Sequence, residues 1–558
     1  MKTNKILLGE LLVERGMLTR EQLNQALTQQ QTNPEYLGNL LTRTGLLSEQ
    51  QLVEILGEQL ELPFVKLKDV QVDVQAIKKV PAKLASHYKF LPLFVDDGVL
   101  QIAIANPFDV QVLDELKLLL DCDVKPILAA SKDIQEAIQR YYGVGASAVE
   151  ELLDLGSASS ASATARVTED LTARGDEASI SAFVNQLILQ AVKDRATDIH
   201  FEPFETFMRI RERIDGILYE MPIPQDLVRL HQAVISRIKV MAQLDIAEKR
   251  LPQDGRIKVR IDGEELDLRV SILPTSYGEG ADIRILSSAM LYSLAELGLA
   301  EDHLTILSQL IDRPHGIMFV TGPTGSGKTT TLYACLTKLN SPDRKIITIE
   351  DPIEYQIAGI TQIQVHPKIG LSFAQGLRSM LRHDPDIMMV GEVRDPETAE
   401  ITIRSALTGH LVFSTLHTND AAGGVTRLLD MGIEPFLVAS SVLCFIAQRL
   451  VRVICPSCRY EAPADLALRE QFGHSALPAH LMRGRGCPSC KGTGFKGRTA
   501  IYEFLVIDET VHRLILQRAS SYEITRAAVR TGMRTLRQDG WLKITRGLTT
   551  PEEVLRVT

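Results

Sequence analysis

Gly316-Ile-Met-Phe-Val-Thr-Gly-Pro-Thr-Gly-Ser-Gly-Lys-Thr-Thr-Thr331 is the stretch from which the rest of the chain is read. The run from Ile317 to Val320 is wholly apolar and predicts a buried strand. Gly322, Pro323, Thr324, Gly325, Ser326, Gly327, Lys328 and Thr329 then fit G-x-x-x-x-G-K-[ST], the P-loop pattern, with Thr330 next in line. Residues 329–339 predict a helix. Strand, glycine loop and helix is the setting this motif requires. Glycines let backbone N–H groups turn inward around a phosphate, and the helix N-terminus adds positive potential. Lys328 is placed to reach the β- and γ-phosphates of a nucleotide, and the Thr329 hydroxyl to ligate Mg²⁺.

The bulk numbers set limits. At 558 residues the chain holds roughly three to four domains. A net charge of −9 and a pI of about 5.8 disfavour wholesale nucleic-acid binding. No apolar run approaches the roughly 18 residues of a membrane span, and the segment Met1 to Ile6 lacks the apolar core of a signal peptide, so a cytoplasmic protein is expected.

An internal repeat opens the chain. Leu8-Gly9 through Gly16 and Leu18 recurs 29 residues later as Leu37-Gly38 through Gly45 and Leu47. Each copy predicts a short helix, a glycine turn and a capped helix, with Thr19/Gln22 and Ser48/Gln51 as capping boxes. Residues 7–60 thus read as a small helical repeat and 80–143 as an α/β unit, with strands at 91–95, 99–105 and 124–128. Together, residues 1–143 read as an adaptor domain. Residues 144–177, with the low-complexity run Gly156 to Ala165, read as a flexible linker.

A third domain is expected over 178–290. Ile180, Phe183, Val184, Leu187, Ile188 and Ala191 mark an amphipathic helix. Arg209, Arg211 and Arg213 alternate with other residues and so share one face of a strand. Such a row can grip a phosphate from the side or simply face solvent.

The fourth domain, 300–558, continues from the P-loop. Three more apolar runs end in polar residues: 346–349 before Glu350 and Asp351, 387–390 before Glu392 and Arg394, and 411–414 before His417. Fully apolar runs suit a parallel sheet covered on both faces, where ligands sit beyond the carboxyl ends of the strands. The P-loop, Glu350, Glu392 and His417 are therefore expected on one rim. One acid there orients the attacking water and the other holds Mg²⁺. Further on, Cys455, Cys458, Cys487 and Cys490 form two C-x-x-C pairs, the pattern of a structural Zn²⁺ site within 450–500. The remainder, including Trp541 and Glu552 to Thr558, reads as a helical closing segment.

From Ala196 onward the chain resembles the secretion and type IV pilus ATPase superfamily. The marks are Asp198 to Pro203, Arg211 to Gly216, Leu251 to Arg256, Gly322 to Thr329, Ile349 to Tyr355, Arg382 to Asp386 with Gly391 to Asp395, and Thr408 to Asp420. These match the family's Walker A, aspartate, Walker B and histidine boxes in order. Within the superfamily the chain is similar to the general secretion pathway protein E family, on the stretches Lys249 to Gly255 and Asn419 to Phe436.

The resemblance implies a RecA-like P-loop ATPase core, a PAS-like α/β domain before it, and a hexameric ring with ATP held between domains. It maps the family's catalytic glutamate to Glu350, its Walker B acid to Glu392 and its histidine-box residues to His410 and His417. Arg211, Arg213, Arg378 and Arg382 match its phosphate or interface arginines. It further implies a motor for pseudopilus assembly in type II secretion, peripheral at the inner membrane and attached only through recruiting and platform proteins. Type IV pilus extension is the alternative. Some relatives bind cyclic diguanylate through the doubled N-terminal motif. In those an arginine precedes Leu-Gly, where this chain has Leu7 and Tyr36.

Overall fold

Apolar runs buried on both faces need helices above and below the sheet they form. A computed structural model describes residues 8–32, 37–60, 62–107, 110–120, 122–144, 146, 169–170, 180–261, 263–287, 292–464, 478 and 480–558. The chain divides into two compact units, Met1–Leu286 and Ser287–Thr558. Leu7, Tyr36 and most of the expected 144–177 linker lie outside the described residues.

In the first unit the repeat forms four helices: α1 (Leu8–Glu14), α2 (Arg20–Thr32), α3 (Leu37–Arg43) and α4 (Glu49–Leu60). Its Leu-Gly pairs have a packing cause. A Cβ on Gly9 would lie 2.6 Å from a methyl of Leu23, and one on Gly38 would lie 2.9 Å from a methyl of Leu52. Each short helix crosses its successor at a glycine. Thr19 with Gln22, and Ser48 with Gln51, exchange the reciprocal capping bonds the sequence predicts. Strands β1 (Leu91–Asp96), β2 (Val99–Ile104) and β3 (Val124–Leu128) follow in that spatial order, antiparallel then parallel.

Helices α5 (Ile180–Lys193) and α6 (His231–Met241) belong with a larger sheet. Its strands are β4 (Ala196–Pro203), β5 (Met208–Ile214), β6 (Ile217–Glu220), β7 (Gln253–Ile261), β8 (Glu264–Thr275) and β9 (Gly278–Ser287), in spatial order β7-β8-β9-β4-β5-β6. A two-residue strand, Glu169–Asp170, pairs with β7 at the edge. On β5, Met208 and Ile210 are buried while Arg209, Arg211 and Arg213 are half-buried, which is the alternation a one-sided strand requires.

The second unit carries β10 (Gly316–Thr321), α7 (Lys328–Leu339), β11 (Ile346–Glu350), β12 (Thr361–Gln364), α8 (Phe373–Met380), β13 (Ile387–Val390), α9 (Pro396–Leu407), β14 (Leu411–Leu416), α10 (Ala421–Asp430) and β15 (Val442–Ile454). A hairpin of β16 (Arg459–Pro463) and β17 (His480–Gly484) precedes β18 (Phe495–Val506) and α11 (Leu536–Thr545). The main sheet runs β12-β11-β13-β14-β10-β15-β18, parallel throughout except for the β15/β18 pair. Both faces are buried. Ile317, Phe319, Met388, Val390 and Val412 join one core with α8, α9 and α10, while Met318, Val320, Ile387, Met389 and Phe413 join another with α7.

The closing segment is not all helical. Phe495–Val506 forms a strand because its apolar residues Ala500, Ile501, Phe504 and Leu505 complete the open edge beside β15.

Gly424 of α10 has the ring of Phe445 2.5 Å from where a Cβ would stand, and Phe445 is stacked on Phe319. Gly424→Ala is expected to cost about 1–3 kcal/mol. Calorimetry on the full chain should show the second unit melting lower, by about 2–4 °C per kcal/mol.

Candidate nucleotide site

The P-loop bridges β10 and α7. Gly322 adopts φ 150°, and a Cβ there would meet Ser326 Oγ at 2.5 Å and the Gln448 carbonyl oxygen at 2.7 Å. Gly327 caps α7 in the left-handed conformation that glycine adopts without strain, with Gln448 Nε2 at 2.8 Å from its missing Cβ. The loop is therefore seated on β15. Thr331 Oγ1 donates to Gln448 Oε1 at 2.8 Å, and Arg449 donates to the Asn419 carbonyl at 2.7 Å. Ser326 Oγ is buried without a protein partner. A lone buried hydroxyl in a glycine loop at a helix N-terminus fits a phosphate-type anion.

Lys328 Nζ donates to the carbonyls of Gly322 at 2.8 Å and Pro323 at 3.0 Å. Burial holds its ammonium down at about 8, with the negative charge of Glu392 acting the other way. Glu392 Oε2 lies 2.7 Å from Arg394 Nε and 3.2 Å from His417 Nε2. Its loop is tied to β14: Ser414 donates to the Val390 carbonyl and Thr415 to the Gly391 carbonyl. Lys328, Glu392 and His417 thus meet on the rim that strand ends define, as the apolar runs predict. Thr329 and Thr330 stand half-buried in the first turn of α7. The Thr329 hydroxyl and the Glu392 carboxylate are oxygen donors of the kind a magnesium ion takes.

The other candidates differ in their surroundings, and Glu350 shares the rim, beside Gly391. Glu350 ends β11 but is 3% exposed, its carboxylate enclosed by Tyr333, Thr348 and Gln362. His410 precedes β14 whereas His417 follows it, so seven residue steps, about 23 Å, separate them. His410 Nδ1 instead lies 2.8 Å from the Ser405 carbonyl, at the end of the sheet away from the P-loop. Arg378 pairs with Glu397, and Arg382 donates to the Arg378 carbonyl at 2.7 Å, both exposed around the C-terminal end of α8. In the first unit Arg211 forks onto Glu202 at 2.6 and 2.8 Å, and Arg213 lies 3.8 Å from Asp198. Gln448 and Arg449 were not singled out by the sequence. Their one signal is a polar pair inside the apolar run of β15.

The four cysteines converge. Cys455 and Cys487 sulfurs lie 3.8 Å apart, Cys458 and Cys490 3.9 Å, Cys487 and Cys490 3.7 Å, and all four sulfurs lie within 4.8 Å of one another. Tetrahedral zinc with Zn–S near 2.3 Å requires sulfurs about 3.8 Å apart, so the set fits. No helix among the described residues is long and apolar enough to cross a membrane.

With this geometry in view, the profile named "Type II/IV secretion system protein" matches residues 173–556. The chain belongs to the type II/IV secretion system protein family. A second profile, "MshEN domain", matches residues 60–148, beyond the doubled Leu-Gly motif.

Among family relatives, the Myxococcus xanthus protein named type IV pilus assembly ATPase PilB is 42% identical over 98% of each chain. The Xanthomonas campestris pv. campestris type II secretion system protein E is 46% identical over 90% of this chain and 89% of the relative. The X-ray structure of the Legionella pneumophila ATPase DotB shares the RecA-like fold at a TM-score of 0.51 and 22% identity, covering 70% of this chain and 99% of DotB.

Two outcomes are expected from this geometry. A nucleotide phosphate restores the Lys328 charge, so binding a non-hydrolysable ATP analogue at pH 8 should take up about half a proton per site. Calorimetry in buffers of different ionisation heat measures this uptake, which should vanish towards pH 6, where Lys328 is already charged. Chelating zinc from the full chain should speed hydrogen exchange in 455–464 and 480–495 and leave 322–339 protected. Equal exchange in both states would count against a structural metal.

Proposed function

We propose that this chain is the Mg²⁺-dependent ATP-hydrolysing motor of a type II secretion system, driving pseudopilus assembly. One observation carries the reading. Lys328, Glu392 and His417 share one rim of a RecA-like sheet, in a chain related over nine-tenths of its length to a type II secretion system protein E.

In this reading the P-loop backbone and Lys328 bind the β- and γ-phosphates, and Thr329 and Glu392 hold the magnesium ion, which supplies charge neutralisation when bound. Glu350, at the end of β11, orients the attacking water and accepts its proton, while Arg394 and His417 keep Glu392 in place. The new bond joins water oxygen to the γ-phosphorus, and ADP leaves with the electrons of the broken P–O bond. Arg211, Arg213, Arg378 and Arg382 act as phosphate or interface arginines in a homo-hexamer. Arg211, Arg213 and Arg378 pair here with Glu202, Asp198 and Glu397, and Arg382 donates to the Arg378 carbonyl and Ser379 Oγ. The Zn–Cys₄ knuckle braces the hairpin between β15 and β18. Residues 1–143 recruit the motor to inner-membrane partners, leaving it cytoplasmic and peripheral, without nucleic acid.

The end-to-end match to a PilB supports a second reading, a pilus extension motor. The MshEN match supports cyclic diguanylate control of the N-terminal region, while Leu7 and Tyr36 in place of arginines argue against it. Deleting the gene decides between the motors. Loss of culture-supernatant enzymes with intact pili and twitching is expected. Lost pili with normal export would give the chain to pilus extension.

A further inference from the structure

Arg449 lies on β15 behind the P-loop and is 8% exposed. Its guanidinium meets only neutral oxygens. Nη1 donates to the Gln448 carbonyl at 3.0 Å, and Nη2 to the Asn419 carbonyl at 2.7 Å, with Asn419 Oδ1 at 3.4 Å. No ion pair joins it among the described residues. Burial pulls its proton affinity down, while Asp420 and Glu503 act the other way from beyond ion-pair distance. Burying a charge without a paired partner is costly, so its place here calls for a reason.

Three pieces of the second unit meet around this side chain. The first is the P-loop. A Cβ on Gly322 would stand 3.0 Å from Arg449 Nη1, and the Gly322 carbonyl accepts from Lys328 at 2.8 Å. The second is the segment after His417. Asn419 is two residues on, and the Asp420 carbonyl accepts from Thr418 Oγ1 at 3.0 Å and Thr321 Oγ1 at 3.4 Å. The third is β18. Its buried Glu503 accepts from the Ala421 N–H at 2.9 Å and the Leu536 N–H at 3.3 Å.

Residues 419–421 are thus gripped by an arginine on β15 and an acid on β18. A cavity of about 640 Å³ beside them, lined by Pro323, Asn419, Asp420, Arg449 and Glu503, leaves the segment room to shift. An arginine fork can join two carbonyls on different elements at once; a lysine brings the same charge to a single point. The fork therefore fixes the backbone two residues from His417, whose ring lies 3.2 Å from Glu392.

We propose that Arg449 is a positioning residue for ATP hydrolysis: its fork ties the segment after His417 to β15 directly behind Gly322, so that His417 and the P-loop keep one geometry when ATP is bound. This role deepens the ATP-hydrolysis reading and rests on it. Shape and charge make separable contributions. The nucleotide phosphates feel the positive charge, whereas the placement of His417 depends on the fork.

Full-chain Arg449→Lys and Arg449→Gln test this. The readouts are steady-state ATP hydrolysis, affinity for a non-hydrolysable ATP analogue and for ADP, and hydrogen exchange in 418–424. Arg449→Lys should keep analogue affinity within about threefold of wild type and lose about 30-fold or more in kcat, because misplacement is felt in the chemical step. Arg449→Gln should lose as much in kcat and, with the charge gone, about tenfold in analogue affinity. In the wild type the ATP analogue should slow exchange in 418–424 more than ADP does, and both variants should lose that difference. A kcat for Arg449→Lys within about threefold of wild type would overturn the role, as would an exchange difference that survives in both variants. So would a parallel fall of kcat, affinity and melting temperature in Arg449→Lys, which marks plain loss of structure. If Arg449→Gln does not fold, Arg449→Lys alone decides by the same limits. A wild-type chain that binds ATP without hydrolysing it would instead refute the motor reading.

Discussion

The nucleotide loop exists in its present shape because β15 runs directly behind it. Gly322 and Gly327 pass so close to Gln448 and Arg449 that neither admits a Cβ. Thr331 in the first turn of α7 is bonded to Gln448, and Arg449 reaches on to Asn419 after β14. One polar pair on a buried strand thereby sets the loop, the start of the P-loop helix and the segment that follows His417. Buried polar groups need partners, and a fully partnered network rigidifies what it touches. The rest of the second unit keeps β15 in place, with β10 on one side and β18 on the other.

The same sheet sorts its acids by environment. Glu350 and Glu392 both follow apolar strands, and nothing local in the sequence tells them apart. The first is sealed among donors and the second opens towards Lys328. That difference comes from residues far away in sequence, such as Gln362, or in another element, such as Tyr333. The arginines show a related effect. Arg211 has the strand position the alternation predicts, yet its guanidinium is forked onto Glu202 from the neighbouring strand. A cross-strand acid costs the arginine little while it remains at the surface, because exposed ion pairs are weak.

The N-terminal repeat and the cysteine hairpin are steadied by different means. Gly9 and Gly38 let short helices approach their neighbours closely enough for Leu23 and Leu52 to fill the contact. Around the cysteines, β16 and β17 form only a two-stranded ribbon, which is marginal in water by itself. The four sulfurs, within 4.8 Å of one another, are placed so that a metal ion held there would supply the missing constraint.

Sequence alone determined what depends on short spacing: the P-loop, the helical repeat with its caps, the apolar strands of a two-sided sheet, the paired cysteines and the membership of a secretion ATPase family. Those features are local, since a glycine pattern, a period of two or a C-x-x-C pair carries its reason within a few residues. Tertiary structure decided which acid faces Lys328, that His410 and His417 stand at opposite ends of β14, and that Phe495–Val506 closes the sheet as a strand. Each depends on strand order and on partners dozens of residues away. A residue's position along the chain does not fix which end of a strand it occupies or what encloses it.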